Sequence, residues 1–330
     1  MIKKGLLGGS GMQTILITGG AGFIGSHCVD RLLARGDKVV CVDNFNDFYD
    51  PKIKRSNIVH HLQSTNYKLV EADIADKQAM SEVFEKHKFD RILHLAARAG
   101  VQPSLKDPLE YVRSNVVGTT VLLELAREHK IDKFVFASSS SVYGGNKKVP
   151  FSETDNVDNP YSPYAATKKA CEIIASNYHH VANMHIIALR FFTVYGPRNR
   201  PDMAISKFAN DILNGKEIKV VGAGDEIKRD WTYVDDIVTG IMKSLDSVEK
   251  FGFEVFNLGG SKPVSVPYFV GLLEKALGKK AKITRIPLPV GDVPITYSDP
   301  SKAKKLLGWE PTTSVEEGIK KFVAWLKDLT

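Results

Sequence analysis

Cysteine is scarce in this chain. Only Cys28, Cys41 and Cys171 occur in 330 residues, widely separated and odd in number. That pattern excludes a disulfide framework and a cysteine-based metal centre, and fits reduced thiols in a cytoplasmic protein. No apolar run is long enough to span a bilayer, so no membrane partner is expected. Segment 1–11 has two lysines but neither the apolar stretch nor the cleavage site of a signal peptide. It reads as a leader ahead of a natural start at Met12. Internal repeats and low-complexity tracts are missing. So are basic tracts interleaved with aromatics, and the formal charge of +7 is therefore assigned to solvated lysines and a few anion-binding arginines rather than to nucleic acid. The histidines pair only as His60-His61 and His179-His180, which are read as polar helix faces. No metal site is expected.

What is present is a regular alternation. Apolar runs at 14–18, 38–43, 67–73, 91–97, 133–139 and 185–190 read as strands, with helical segments between them, one of which stops at Gly36. Strands alternating with helices imply a parallel sheet, and runs this continuously apolar imply that both faces are covered. After Phe191 the rhythm breaks into Pro-, Gly- and Arg-rich loops with shorter elements. One further strand, 253–258, is expected to return to the main sheet.

The first strand runs into Thr18-Gly-Gly-Ala-Gly-Phe-Ile-Gly-Ser26. Gly19, Gly22 and Gly25 form G-x-x-G-x-x-G between a strand and a helix. That is the context in which backbone can approach a pyrophosphate and a helix N-terminus can face it. Asp43 ends the second strand, where a carboxylate accepts hydrogen bonds from both ribose hydroxyls and repels a ribose phosphate, favouring NAD over NADP. Asp73 and Ile74 are candidates to frame the adenine, and Ala96 and Ala97 leave room for the cofactor. The expected fold is thus α/β, a Rossmann-type doubly wound parallel sheet over 12–188, with a smaller C-terminal substrate-binding domain over 189–330. The segment from about 232 to 260 is expected to rejoin the first domain.

The fifth strand leads into Ser138-Ser-Ser-Ser-Val-Tyr-Gly144, and Tyr161-Ser-Pro-Tyr-Ala-Ala-Thr-Lys168 follows. Tyr164 and Lys168, four apart, share one helix face. A phenol beside an ammonium gives up its proton more readily. Tyr164 can then take a proton from a substrate hydroxyl as hydride leaves the same carbon.

With these motifs in this order, the chain resembles the extended short-chain dehydrogenases/reductases. Within them it is most similar to the nucleotide-sugar epimerases acting on UDP-glucuronate at C4. The resemblance runs from about Met12 to Leu326. It is closest at 42–51, at Arg190–Arg198 continuing to Ala204, at Lys228–Asp236, and at Gly291–Asp299 with Leu307–Pro311. It implies Ser139, Tyr164 and Lys168 as the catalytic set. Phe23, Ile24, Asn44, Asn115 and Ser138 are implied as further NAD contacts. Arg229 is implied to meet the diphosphate, its fork suiting a phosphate pair, with Ala204 and Asp292 as further UDP-sugar contacts. The helices near 111–128 and 164–181 are implied to pair in a homodimer.

The resemblance also bears on the reaction. Related dehydratases carry Asp-Glu where this chain has Ser140 and Ser141, and related decarboxylases carry Glu at the position of Ser141. With serine at both, hydride return and hence epimerisation is expected. A 4-keto uronate loses carbon dioxide when its carboxylate aligns with the ketone. Ser140, Ser141, Thr193 and Arg200 are expected to hold the carboxylate out of that alignment. The alternatives are a UDP-glucuronate decarboxylase, a 4-epimerase of neutral UDP-hexoses, and a cofactor-binding regulator without catalysis, which need not keep Tyr164 and Lys168.

Overall fold

The computed structural model describes residues 11–222 and 224–329. Residues 1–10, most of the segment read as a leader, lie outside these. The first part of the chain runs β1 (Thr14–Thr18), α1 (Phe23–Arg35), β2 (Lys38–Asp43), α2 (Pro51–Ile58), β3 (Tyr67–Glu71), α3 (Lys77–Lys86), β4 (Arg91–His94), α4 (Val101–Lys106), α5 (Pro108–Tyr111), α6 (Gly118–Glu128), β5 (Lys133–Ser139), α7 (Pro163–Ala182) and β6 (His185–Phe191). A π-helical segment, Val112–Val117, joins α5 to α6. The second part runs β7 (Thr193–Tyr195), α8 (Ala204–Leu213), β8 (Glu217–Val221), β9 (Lys228–Arg229), β10 (Trp231–Tyr233), α9 (Val234–Ser247), β11 (Phe253–Leu258), β12 (Val264–Ser265), α10 (Val266–Leu277), β13 (Lys282–Ile286), α11 (Ser301–Leu307) and α12 (Val315–Asp328).

Seven strands form one parallel sheet in the order β11-β6-β5-β4-β1-β2-β3. The strand order reverses between β1 and β4, the place where doubly wound sheets open a crevice at their carboxyl ends. β11 pairs with β6 from Phe253 opposite Ile186 to Leu258 opposite Phe191. The strands expected at 67–73 and 91–97 end early, at Glu71 and His94, which leaves Ala96 and Ala97 in the loop above the sheet.

The alternation of side chains along a strand explains the continuous apolar runs. Ile15, Ile17, Val39, Cys41, Leu93 and Val135 pack into the core on one face. Their neighbours Leu16, Val40, Val42, Ile92, Phe134 and Phe136 pack into the core on the other. The first of these cores continues without a break into the C-terminal part, through Tyr195, Trp231 and Phe269. Trp231 and Phe269 stack there with ring centres 3.8 Å apart. Helix α1 begins at Phe23, earlier than the periodicity of 29–35 indicates, and stops at Gly36, whose φ of 96° is left-handed. The glycine loop therefore feeds directly into the helix.

Candidate active site

Above the carboxyl ends of β1 and β4 lies a cavity of about 360 Å³. One end is built by the glycine loop. A side chain at Gly19, where φ is +69°, would put its Cβ 2.7 Å from the Ala96 nitrogen, and one at Gly25 would put it 2.1 Å from the Gly19 carbonyl oxygen. The loop is thus pressed against the neighbouring strand end and its own helix, and only glycine fits. No side chain caps the start of α1, so its first N–H groups are left for an anion. Gly22, Phe23 and Ile24 line the cavity at that start. Asp43 lines it too, its carboxylate fixed by the Ala21 N–H at 3.3 Å and the Phe45 N–H at 2.9 Å. Burial pushes the Asp43 carboxyl up, and Lys54 with these N–H groups opposes that shift. Lone pairs beyond those two bonds remain for a diol. Asn44, Ile74, Ala96 and Ala97 complete this wall. These features fit the dinucleotide, which this end would hold with its pyrophosphate at α1 and a ribose at Asp43.

The other end carries the tyrosine and the lysine. Helix α7 starts at Ser162-Pro163. The Ser162 hydroxyl accepts from the Ala165 N–H at 3.2 Å, and Pro163 takes the first helical position, a combination that stabilises a helix start by about 1 kcal/mol. Tyr164 consequently sits in the first turn and Lys168 one turn on, both lining the cavity. The Lys168 amine donates to the Ala137 carbonyl of β5 at 2.7 Å. Beneath it His94 lies between the hydroxyls of Thr18 and Thr119, at 2.7 and 2.9 Å. Burial, with Lys168 adding, pushes this imidazole down to about 3, so it stays neutral. Ser139 accepts from the Ser141 N–H at 3.2 Å, which leaves its own O–H to donate. Ser140, Ser141 and Thr193 line the same end. Ser138 lines it as well, but its hydroxyl turns away and donates to Glu172 at 2.6 Å. Glu172 in turn receives two bonds from Arg190, at 2.9 and 2.8 Å.

Between the two ends the structure places groups the sequence reading passed over. The loop after β2 brings Asn46, Phe48 and Tyr49 to the wall, with Lys54 from α2 and Arg98 from beyond β4. Arg98 and Arg200 both stand over the Phe48 ring, at 5.4 and 5.1 Å from its centre. Lys54, only 5% exposed, donates to two oxygens of Asn46 and lies over the Tyr49 ring at 5.0 Å. Burial pushes the Lys54 amine down; Asp43 opposes this, and Arg98 and Arg200 add to it. Lys54, Arg98 and Arg200 thus share one wall, with Arg200 paired to Asp202 at 2.6 Å and Arg98 to Glu110 at 3.4 Å. Arg98 had a legible signal, a basic residue just past the end of β4 at the switch point. For Phe48 and Lys54 there was none, because no periodicity reports which loop side chain folds inward.

Five expected contacts stand away from the cavity wall. The Asp73 carboxylate is taken by Arg113 at 2.9 Å, the Ala75 N–H at 2.9 Å and the Asn44 amide at 3.3 Å. Burial opposes its ionisation, yet these partners hold it below the usual carboxylate range. Asn115 is buried in the π-helical segment. It accepts from the Arg98 N–H at 2.8 Å, donates to the Arg98 carbonyl at 3.0 Å and donates to Thr167 at 3.0 Å, so it ties the Arg98 loop to α7. Ala204 is an exposed first residue of α8, and its neighbour Met203 lines the wall instead. The Arg229 guanidinium donates to the carbonyls of Lys228 and Pro294, and Asp292 acts on it electrostatically. The loop of Asp292 rests on the cavity rim, where Gln102, next to the lining residue Val101, donates to the Val290 carbonyl at 2.8 Å.

The chain matches the family model described as GDP-mannose 4,6 dehydratase over residues 16–322. It is 46% identical to a UDP-glucuronate 4-epimerase of Thermodesulfobacterium geofontis, covering 96% of this chain and 97% of that protein. Among solved structures it resembles the UDP-glucuronic acid 4-epimerase of Bacillus cereus in complex with UDP-glucuronic acid and NAD. There the TM-score is 0.90 and the identity 36%, over 96% of this chain and 100% of that one. A UDP-glucose 4-epimerase of Thermotoga maritima with UDP-glucose gives a TM-score of 0.87 and 34% identity, over 96% and 99%.

Proposed function

We propose that this chain, which belongs to the GDP-mannose 4,6 dehydratase family, is an NAD-dependent enzyme that interconverts UDP-glucuronate and UDP-galacturonate by epimerisation at C4. One observation carries the choice of reaction. Asp43, at the end of β2, is the sole acidic residue among those lining the cavity, and the wall around Tyr164 presents Ser140, Ser141, Thr193 and Arg200. An elimination that removes water needs an acid and a base beside the reacting carbons. Among the described lining residues at this end Tyr164 and Lys168 have no carboxylate beside them, which favours reduction of the 4-keto sugar over elimination.

Gly19, Gly22, Gly25 and Asp43 would hold NAD along the glycine loop, where it would supply a reversible hydride acceptor for C4. Tyr164 takes the proton of the C4 hydroxyl in the first half and gives it back to the ketone oxygen in the second. The sugar turns over between the two halves, presenting its opposite face. The Ser139 O–H donates to the same oxygen. Lys168, one helical turn from Tyr164 and anchored on Ala137, is assigned to supply positive charge at this end of the cavity. Arg200, Thr193 and the two serines bind the uronate carboxylate and hold it out of line with the ketone, which suppresses loss of carbon dioxide. Arg229 and Asp292 are assigned to the uridine diphosphate, as the loop of Asp292 meets the cavity rim.

The division into 12–188 with about 232–260 and a substrate-binding remainder is part of the same reading. It is supported by the pairing of β11 with β6. A homodimer is proposed through the helices near 111–128 and 164–181, where Val112, Ile173 and Val181 are 45%, 58% and 65% exposed. The three buried free cysteines suit a reducing cytoplasm. No helix among the described residues is long and apolar enough to cross a membrane.

The deciding experiment is incubation with UDP-glucuronate and NAD, read by NMR of the products. UDP-galacturonate is expected. A UDP-pentose as the main product would make the chain a decarboxylase, and turnover of UDP-glucose alone would make it a neutral-sugar epimerase. Absence of turnover on all UDP-sugars would overturn catalysis itself.

A further inference from the structure

His60 and His61, which read as a solvated polar pair in the sequence, converge on one carboxylate in the fold. They end the short turn Val59–His61 that continues α2. Asp30 projects from α1 to meet them. His61 Nε2 lies 2.6 Å, and His60 Nε2 3.2 Å, from the same oxygen, Asp30 Oδ1. The two rings are 3.9 Å apart at 47°, and one ligand atom from each of the three residues falls within 4.8 Å of the others. Both ring nitrogens face that oxygen, and in the Nδ1–H tautomer each imidazole offers a lone pair there in place of an N–H. A tetrahedral Zn²⁺ with bonds of about 2.0–2.1 Å spaces its ligand atoms about 3.3 Å apart. The His60–Asp30 separation of 3.2 Å is close to that spacing already, and the His61–Asp30 separation of 2.6 Å would have to open by about 0.7 Å.

We propose that Asp30, His60 and His61, none of which lines the cavity, bind one borderline divalent cation of the Zn²⁺ type, with solvent completing its coordination. Imidazole nitrogen and carboxylate oxygen are the donors such ions prefer. The His60 side chain is 48% exposed, which gives the ion an entry path and room for water. The competitor is Arg198, whose Nη1 lies 2.8 Å from the other oxygen, Oδ2. Oδ1 is therefore the oxygen left to the metal.

The test is calorimetric titration of tag-free, NAD-loaded protein with ZnCl₂. One saturable site per chain is expected, weakened at least tenfold in Asp30→Asn and in the double variant His60→Ala/His61→Ala. The thermal midpoint of the parent should rise with Zn²⁺ and that of the double variant should not, since a ligand bound only by the folded state stabilises it. Unfolding scans without metal separate loss of the site from loss of the fold. Absence of saturable binding overturns the proposal. So does binding that survives unchanged in a folded double variant, because the ion then sits on other groups.

Discussion

The Arg200 guanidinium carbon lies 5.1 Å from the centre of the Phe48 ring. Arg98 stands over the same ring at 5.4 Å, and Arg200 is otherwise held by Asp202 at 2.9 and 2.6 Å. Phe48 thus spaces two cations on the wall assigned to the substrate's anionic groups. A cation–π contact is worth about 0.5–2 kcal/mol, more when dry. Phe48→Leu is expected to raise KM for UDP-glucuronate roughly 3- to 30-fold, and Phe48→Tyr to restore it. If the uronate carboxylate is indeed held by Arg200, the Leu variant also releases some UDP-pentose, visible by NMR. An unchanged KM would show that the ring does not position the arginines.

Tyr164→Phe removes the proton acceptor and leaves the ring in its packing beside Tyr111, 6.2 Å away edge to face. Acid–base groups contribute about 10²- to 10⁴-fold, and kcat is expected to fall by that order while NAD binding, followed by calorimetry, persists. Retained turnover would remove Tyr164 from its assigned role.

Glu172 lies one turn beyond Lys168 on α7 and is bound by Arg190 and by Ser138 in the interior. Removing one partner of a buried ion pair leaves the other charge uncompensated, at a cost of about 3–5 kcal/mol. Glu172→Ala should lose that much in urea unfolding. A loss below about 1 kcal/mol would mean that the pair is solvated in the folded protein.

Asp230 has a carboxyl pushed up to about 6 by burial, against the bonds it accepts from Ser298 and from the backbone of Ser261 and Gly260. For an acid whose folded value exceeds its unfolded one, the protonated form is favoured in the folded state. The contribution is complete below the ordinary value of 3.8 and is lost as pH rises through about 6. The span corresponds to stability on the order of 2–3 kcal/mol. The difference in unfolding free energy between the parent and Asp230→Asn should therefore change between pH 4 and 6 and be flat above 7. A difference that stays flat from pH 4 to 8 would exclude titration of Asp230 in this window.

The chain's own pattern determined the sheet and the motif-bearing turns. Seven apolar runs of strand length became the seven strands of one sheet because nearest neighbours along each run face opposite cores. Tyr164 and Lys168 reached the cavity because Ser162 and Pro163 set where α7 begins, and within the glycine loop itself Gly19 is required by its positive φ and Gly25 by the Gly19 carbonyl. These are local or periodic effects, so they can be read along one dimension. Only the tertiary structure decided which loop side chains turn inward. It aimed Phe48, Lys54 and Arg98 at the cavity, consumed Asp73 and Asn115 in bonds to Arg113, Arg98 and Thr167, and brought Asp30 to His60 and His61. Those pairings join residues with no periodic relation to one another. They depend on how the packed sheet and helices place their loops in space.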